Sequence, residues 1–163
     1  MPITRLNHAV LYVRDARRSA AFYTDVLGFV VRHTVGDGQA IFLRAPGTDN
    51  DHDLGLFSVG EHVGGSQAGR GTVGLYHLAW QVATLEELDR LRGVLTERGA
   101  LVGASDHGAT KSLYARDPDG LEFEVMWAVP LDLLDEGESS VQIAPLDLEK
   151  EKRRFGATTV STT

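Results

Sequence analysis

The chain has 163 residues, 42% of them hydrophobic, which is enough for one compact domain with a core and too little for two ordinary domains. Its formal net charge of −7, with basic residues interleaved among acids, excludes a nucleic-acid surface, which needs clustered lysine and arginine. The absence of cysteine excludes disulfide and thiolate chemistry, so a metal ion would take nitrogen and oxygen ligands, as iron or manganese does.

The first half of the chain predicts the element order βαβββ. Alternating apolar residues over Ile3–Val13 indicate a strand, and a helix follows between Asp15, a suitable N-cap, and Gly28, which stops it. Three further strands are predicted at about 29–36, 39–45 and 53–59.

The second half predicts the same order after a glycine-rich stretch, Gly60 to Gly74, that is typical of a linker. A strand is expected at about 73–82, and a helix from Leu85 to Arg98, introduced by Thr84 and closed by Gly99. Strands are expected near 100–105, 111–116 and 121–128, with Asp117-Pro118-Asp119-Gly120 as a turn.

A histidine occupies the equivalent place in the first strand of each half. Asn7-His8-Ala9-Val10-Leu11 corresponds to Tyr76-His77-Leu78-Ala79-Trp80. The repeat therefore predicts an α+β fold over 1–128, in which two paired βαβββ modules, about 1–60 and 73–128, have curved sheets that enclose a metal cleft. Both histidines are expected to face this cleft.

The last strand of the second module supplies a carboxylate. Glu122 and Glu124 are one pleat apart on the same face, so the pattern alone does not choose between them. Two imidazoles and one carboxylate on one face of a divalent metal leave the opposite positions open for substrate and O₂, as in non-haem Fe(II) oxygenases.

Two local motifs point to a family. One comprises Asp106-His107-Gly108, Ser112-Leu113-Tyr114, Asp117-Pro118-Asp119-Gly120 and Glu124, and the other is His52-Asp53-Leu54-Gly55-Leu56-Phe57. With them, residues 1–128 resemble the vicinal oxygen chelate superfamily, also called the glyoxalase, bleomycin-resistance and extradiol dioxygenase group. Within that group the chain is most similar to type I extradiol dioxygenases such as the catechol 2,3-dioxygenases.

The resemblance implies a mononuclear metal, Fe(II) with Mn(II) as the alternative, held by His8, His77 and Glu124. It implies a small aromatic diol and O₂ as substrates, and it makes a homodimer an expectation. His52 would be the acid/base residue, and His62 is a second candidate for that role. His107 and Tyr114 would hydrogen-bond the substrate, so the implied catalytic residues are His52, His107 and Tyr114.

The same residues also have other interpretations. His8 and His77 could be ordinary strand histidines, His52 and His107 surface-loop histidines, and Tyr114 a core or rim tyrosine. Two other functions fit the family: a glyoxalase-like metal-dependent isomerase or epimerase, and a metal-free small-ligand (drug) binding protein. The presence of His8, His77 and Glu124 counts against the metal-free binding protein, because such a protein would have no use for three metal ligands.

The remaining expectations concern surface charge, core and tail. Lys111 and Arg116 are predicted to be solvated strand charges, whereas Trp80, Phe123 and Trp127 are predicted to form core or pocket wall. A C-terminal extension, 129–163, is expected to contain an acidic turn-rich stretch at 132–138, a short helix within Leu146 to Phe155 and a disordered end at 158–163. The N terminus has no apolar signal core and no segment approaches the roughly 18 apolar residues of a membrane span, so a cytoplasmic protein is expected.

Overall fold

A computed structural model describes residues 2–135 and 143–162 of the protein. The chain divides into two units, Met1–Ser66 with Pro118–Gly120 and Gln67–Asp117 with Leu121–Thr163. Each unit contains one βαβββ module, so the predicted α+β fold built from two such modules is confirmed. The predicted acidic stretch at 132–138 lies partly outside the described residues.

The first unit is a four-stranded sheet with one helix. Its elements are β1 (Ala9–Val13), α1 (Ala16–Leu27), β2 (Val30–Val35), β3 (Ala40–Arg44) and β4 (Leu54–Ser58). The strand order is β1-β4-β3-β2, with β1 parallel to β4 and the other pairs antiparallel. As predicted, the Asp15 side chain caps α1, and Gly28 ends the helix with a left-handed φ of 73°.

The second unit repeats this arrangement and extends it. Its elements are β5 (Leu78–Gln81), α2 (Leu85–Glu97), β6 (Leu101–Asp106), β7 (Thr110–Arg116), β8 (Glu122–Ala128), β9 (Ala144–Pro145) and α3 (Leu148–Phe155). The strand order is β5-β8-β7-β6-β9, and β5 is parallel to β8. Thr84 caps α2 by accepting a hydrogen bond from the Glu87 backbone N–H, as predicted.

The repeat extends to irregularities within the sheets. The β2–β3 ladder shifts register between Val31 and His33, and the β6–β7 ladder shifts between Leu101 and Gly103, the corresponding place in the second unit. A bulge at the same position in both sheets bends both at the same point. The two modules therefore share this register shift as well as the order of their elements.

Both first strands are shorter than the alternating sequence pattern predicts. β1 begins at Ala9, opposite Leu54, and β5 begins at Leu78, opposite Phe123. The pairing of β1 starts at the first residue of β4, and the pairing of β5 starts at the second residue of β8. The extent of the pairing sets where each strand begins, and alternation of apolar residues does not report it. His8 consequently lies immediately before its strand instead of inside it.

The C-terminal segment is part of the second unit. Leu148 and Phe155 on α3 are buried, and so is Glu151. The prediction that Lys111 is solvated is wrong, because its side chain is fully buried and its Nζ lies 2.6 Å from Asp106 Oδ1 and 3.1 Å from Glu151 Oε2. Two carboxylates replace the water that this ammonium group would otherwise need.

The end of the chain is also ordered by contacts, so the prediction of disorder at 158–163 is wrong for its described part, 158–162. The Trp127 indole N–H donates to Thr159 O at 3.1 Å, and the buried Ser161 donates its backbone N–H to Ala83 O at 2.7 Å. Phe123 and Trp127 are core residues, as predicted, and Arg116 is half exposed. In the described ranges, no helix is both long and apolar enough to cross a bilayer.

The predicted turn at Asp117–Gly120 is confirmed, with Gly120 at a φ of 81°. The Asp119 carboxylate lies in the first unit, where it is nearly buried. It accepts hydrogen bonds from Arg14 and Arg18 at 2.9 Å and from the Ser19 hydroxyl at 3.1 Å. The Arg14 backbone N–H also donates to it at 3.3 Å, and these four donors on one nearly buried carboxylate fix this turn against the start of α1.

We expect Asp119→Asn to lower the free energy of unfolding by about 1–3 kcal/mol, because two guanidinium groups lose their shared anion. The matched variant Asp37→Asn removes an exposed partner of Arg17 and should cost less than about 0.5 kcal/mol. Urea unfolding monitored by tryptophan fluorescence compares the two. Equal losses would contradict the structural role of Asp119.

A second buried carboxylate, Asp53, organises the loop that precedes β4. It accepts hydrogen bonds from the Ala45 backbone N–H at 2.8 Å, the Thr48 hydroxyl at 2.7 Å and the Asn50 amide at 2.7 Å. Burial raises the pKa of Asp53, but the bonds from Thr48, Ala45 and Asn50 outweigh it, so the pKa lies below its ordinary value. The loop therefore depends on the ionised form.

Because the pKa of Asp53 is lower in the folded protein than in the unfolded chain, ionisation stabilises the fold above about pH 4 and ceases to do so as pH falls through the folded pKa. We expect Asp53→Asn to destabilise the protein by about 1–3 kcal/mol at pH 7 and by progressively less below pH 4. The control, Asp49→Asn, changes an exposed residue of the same loop. A deficit that stays constant from pH 7 to pH 2.5 would contradict this account.

Candidate metal centre

His8 and His77 occupy equivalent positions in the two modules. His8 directly precedes Ala9, which pairs with Leu54, and His77 directly precedes Leu78, which pairs with Phe123. In each unit the histidine thus stands at the start of the parallel pair formed by the first and last strands. The equivalence predicted from the two sequence segments agrees with the strand register.

In the second unit the structure brings His77 together with Glu124. His77 Nε2 lies 3.1 Å from Glu124 Oε2, and the two side chains are largely buried. Two donor atoms about 2.1 Å from one octahedral metal ion lie about 3.0 Å apart when they are cis to each other. The spacing and chemistry of this pair therefore fit one edge of a metal coordination sphere.

The neighbouring carboxylate, Glu122, has other partners. The Tyr76 hydroxyl donates to Glu122, and the bond raises the pKa of Tyr76. Arg116 Nη2 lies 3.8 Å from Glu122 Oε2. Glu122 is thus engaged by a phenol and a guanidinium, whereas Glu124 faces an imidazole.

Tyr114 and His107 lie beside this pair. Tyr114 is directly opposite Glu124 in the β7–β8 ladder, and its ring meets the His77 ring edge-on at 5.7 Å between centroids. His107 Nε2 lies 2.8 Å from the Tyr114 hydroxyl oxygen. Burial, and then the charge of Glu124, raise the pKa of Tyr114, so its phenol keeps its proton at neutral pH and can donate a hydrogen bond.

The four predicted residues of the second unit are therefore one cluster, His77, His107, Tyr114 and Glu124. Within the described ranges, no three histidine or acidic side chains are grouped closely enough to hold a metal ion. His77 Nδ1 is buried and has no hydrogen-bond partner among the described residues, so it lacks the second anchor that many metal-bound histidines have.

In the first unit the structure brings His8 together with His52. Their rings lie 4.6 Å apart between centroids, and the His52 ring also meets Phe42 at 5.0 Å. His52 is mostly buried, whereas His62 is exposed in the loop that follows β4. This placement favours His52 over His62 as the partner of His8.

Asp51 is a residue of this site for which the sequence predicted no role. Its carboxylate lies 3.0 Å from His52 Nδ1 and 3.0 Å from His33 Nε2. The hydrogen bonds with His52 and then His33 lower the pKa of Asp51 to about 2. An ionised Asp51 next to Nδ1 favours the His52 tautomer that has its proton on Nδ1. The polar run Asn50-Asp51-His52-Asp53 was the available signal, since it places a carboxylate beside the candidate base.

The equivalent positions of the first unit carry different chemistry. Phe42 is opposite Gly55, where the second unit has Tyr114 opposite Glu124. A side chain at Gly55 would meet Phe42 and Val10 at 3.4 Å, which is tight. At these equivalent positions the first unit thus has neither the carboxylate nor the phenol.

Comparison with curated proteins identifies two relatives with named activities. The chain is 30% identical over 129 residues to a catechol-2,3-dioxygenase of Bacillus subtilis (strain 168), a match that covers 75% of this chain and 41% of that protein. It is 36% identical over 119 residues to biphenyl-2,3-diol 1,2-dioxygenase 3 of Rhodococcus globerulus, which covers 71% of this chain and 59% of that protein. The chain therefore spans about half the length of these relatives.

Solved structures share the fold. A glyoxalase/dioxygenase from Nostoc punctiforme has a TM-score of 0.62 at 24% identity, over 77% of this chain and 92% of that one. The fosfomycin resistance protein FosX from Listeria monocytogenes has a TM-score of 0.59 at 21% identity, over 80% of this chain and 98% of that one. At these identities the likeness concerns the fold alone.

The family described as "Glyoxalase/Bleomycin resistance protein/Dioxygenase superfamily" matches residues 5–125, which is most of the chain. The repeated βαβββ modules and the histidines before both first strands agree with that match. The chain belongs to the glyoxalase/bleomycin resistance protein/dioxygenase superfamily.

Proposed function

We propose that the protein is an extradiol ring-cleaving dioxygenase that uses O₂ to open a catechol-like aromatic diol. The observation that carries the proposal is the cluster in which His107 and the phenol of Tyr114 lie beside the His77–Glu124 pair. The two curated relatives, both named dioxygenases, support the same reaction class.

In this proposal His8, His77 and Glu124 hold a mononuclear Fe(II), for which Mn(II) is the alternative. Imidazole nitrogen and carboxylate oxygen suit both metals, and three protein ligands leave positions for a diol and O₂. When bound, the metal supplies Lewis-acid and one-electron redox chemistry. Gly55 adds no fourth ligand at the place equivalent to Glu124, which favours this site over the four-ligand site of a glyoxalase-like isomerase.

Tyr114 and His107 orient the substrate. The Tyr114 phenol is protonated at neutral pH and donates a hydrogen bond to a diol oxygen, while His107 holds the phenol oxygen in position. A group held in this way spends little free energy on reorganisation as charge develops on the substrate oxygen.

His52 moves the proton. With its Nδ1 proton held by the Asp51 carboxylate, the ring keeps its lone pair on Nε2, which accepts a proton from a diol hydroxyl and returns it after the ring opens. Imidazole serves both steps because the same ring nitrogen can accept a proton and return it. Asp51 therefore sets the tautomer that the proposed base requires.

The direct test is to load the purified protein with Fe(II) without oxygen, add a panel of catechols and then admit air. We expect consumption of one O₂ per diol and a yellow ring-opened product. Protein loaded with Zn(II) is the control, since zinc has no redox chemistry. No oxygen uptake across a broad diol panel contradicts the proposal, and turnover of another substrate without O₂ would assign the chain to the isomerases or epimerases.

The metal assignment predicts different outcomes for two neighbouring carboxylates. Glu124→Gln should weaken Fe(II) binding by more than about 100-fold, because it removes the anionic ligand. Glu122→Gln is the matched control on the same strand and face, and it should bind Fe(II) nearly as the wild type does. Metal content after loading and desalting measures both. Reversed outcomes would move the ligand to Glu122.

The acid/base assignment predicts that His52→Phe lowers kcat by about 10²- to 10⁴-fold while Fe(II) content stays unchanged. Phenylalanine preserves the ring contacts with Phe42 and His8 but carries no proton. His62→Phe is the control and should retain activity. Unaltered turnover of His52→Phe would refute the role, and loss of turnover in His62→Phe would transfer it.

A further inference from the structure

The second unit contains a fully buried lysine that the proposed chemistry does not use. Lys111 Nζ lies 2.6 Å from Asp106 Oδ1 and 3.1 Å from Glu151 Oε2, and both carboxylates are shielded from solvent. Its ammonium group also lies 5.6 Å from the centre of the Phe155 ring. Asp106 and Lys111 are on β6 and β7, whereas Glu151 comes from α3.

Asp106 connects this ion pair to the turn that carries His107. The same Oδ1 atom that binds Lys111 accepts a hydrogen bond from the Gly108 backbone N–H at 2.8 Å. The turn closes with bonds from the His107 N–H to Thr110 O at 2.9 Å and from the Ala109 N–H to His107 O at 3.0 Å. One oxygen atom thus joins a buried cation to the backbone beside His107.

The connection passes from one face of the sheet to the other. Alternate β7 residues, Lys111, Leu113 and Ala115, are buried, and Tyr114 belongs to the opposite face with Glu124 across from it. The α3 residues pack with the first of these faces, because Phe155 contacts Trp127 at 5.5 Å between ring centroids. The β6–β7 turn therefore links α3 on one face to the His107–Tyr114 bond on the other.

Stability alone does not account for this choice of residues. A buried ion pair is generally no more stabilising than apolar side chains of similar size, since desolvation offsets the attraction. The charge-assisted hydrogen bond from Lys111 to Asp106 does, however, fix direction and distance more narrowly than an apolar contact, and Glu151 adds a second negative charge beside the same ammonium group. The network is therefore suited to holding one turn geometry.

We propose that Lys111 and Glu151 are positioning residues, which act through Asp106 to hold the β6–β7 turn so that His107 meets the Tyr114 hydroxyl. The catalytic meaning of this role rests on the proposed function of His107 and Tyr114, but the positioning itself does not. The C-terminal helix α3 is then a component of the site, supplying the carboxylate that completes the network from the far face of the sheet.

The test uses the full-length double variant Lys111→Met/Glu151→Met, which replaces the buried pair by apolar side chains and should keep α3 packed. Amide hydrogen exchange at His107 and Gly108 should accelerate by about tenfold, and the His107 imidazole ¹⁵N signals should shift toward those of a solvated ring. If the protein is the proposed dioxygenase, kcat should fall about tenfold with little change in KM for the diol. Glu151→Gln, which keeps the shape and removes one charge, should give the same changes at smaller size.

Lys152→Met is the matched control. It removes the bond from α3 to Asp89, whose oxygen lies 2.7 Å from Lys152 Nζ, and leaves the Lys111 network intact. The proposal is overturned if His107 and Gly108 do not respond in the double variant or in Glu151→Gln, or if Lys152→Met produces the same response. The exchange and NMR measurements need no turnover, so they decide the positioning role even if the dioxygenase assignment fails.

Discussion

Parallel pairing of the first and last strands of each βαβββ module is the constraint on which the rest of the structure depends. It brings a residue just before the first strand beside residues of a strand that comes much later in the chain, as with His77 and Glu124. The two ends of a module then share one edge of the sheet, and a polar pair can form there without interrupting the core. His8 reaches the equivalent place in the first unit by the same rule.

The sequence correctly predicted the features that depend on neighbouring residues or on the internal repeat. Helix ends followed from Asp15, Gly28 and Thr84, and the duplicated order followed from the spacing of turns and strands. The failures share a physical cause. The prediction that Lys111 is solvated was wrong because only tertiary packing brings its two carboxylate partners, Asp106 and Glu151, to it. A local sequence pattern does not indicate a buried ion pair.

Some residues of the candidate site could be predicted from the sequence, and others could not. His77, Glu124, Tyr114 and His107 could be grouped from repeat position and motif, and the second unit does bring these four together. For Asp51 the polar run around His52 is a signal but does not suffice, because an aspartate adjacent to a histidine bonds its ring only when the loop turns both side chains to one side. Asp53, buried with three donors, gives that loop its shape.

The two modules share a fold but differ in chemistry at one pair of facing strand positions. At the same register, one unit has Gly55 opposite Phe42 and the other has Glu124 opposite Tyr114. In the proposed function, a carboxylate at both places would add a fourth protein ligand, whereas a single carboxylate would leave more positions of the metal open. The pairing of the strands is the same in both modules, so this difference changes the chemistry available at one pair of positions without changing the scaffold.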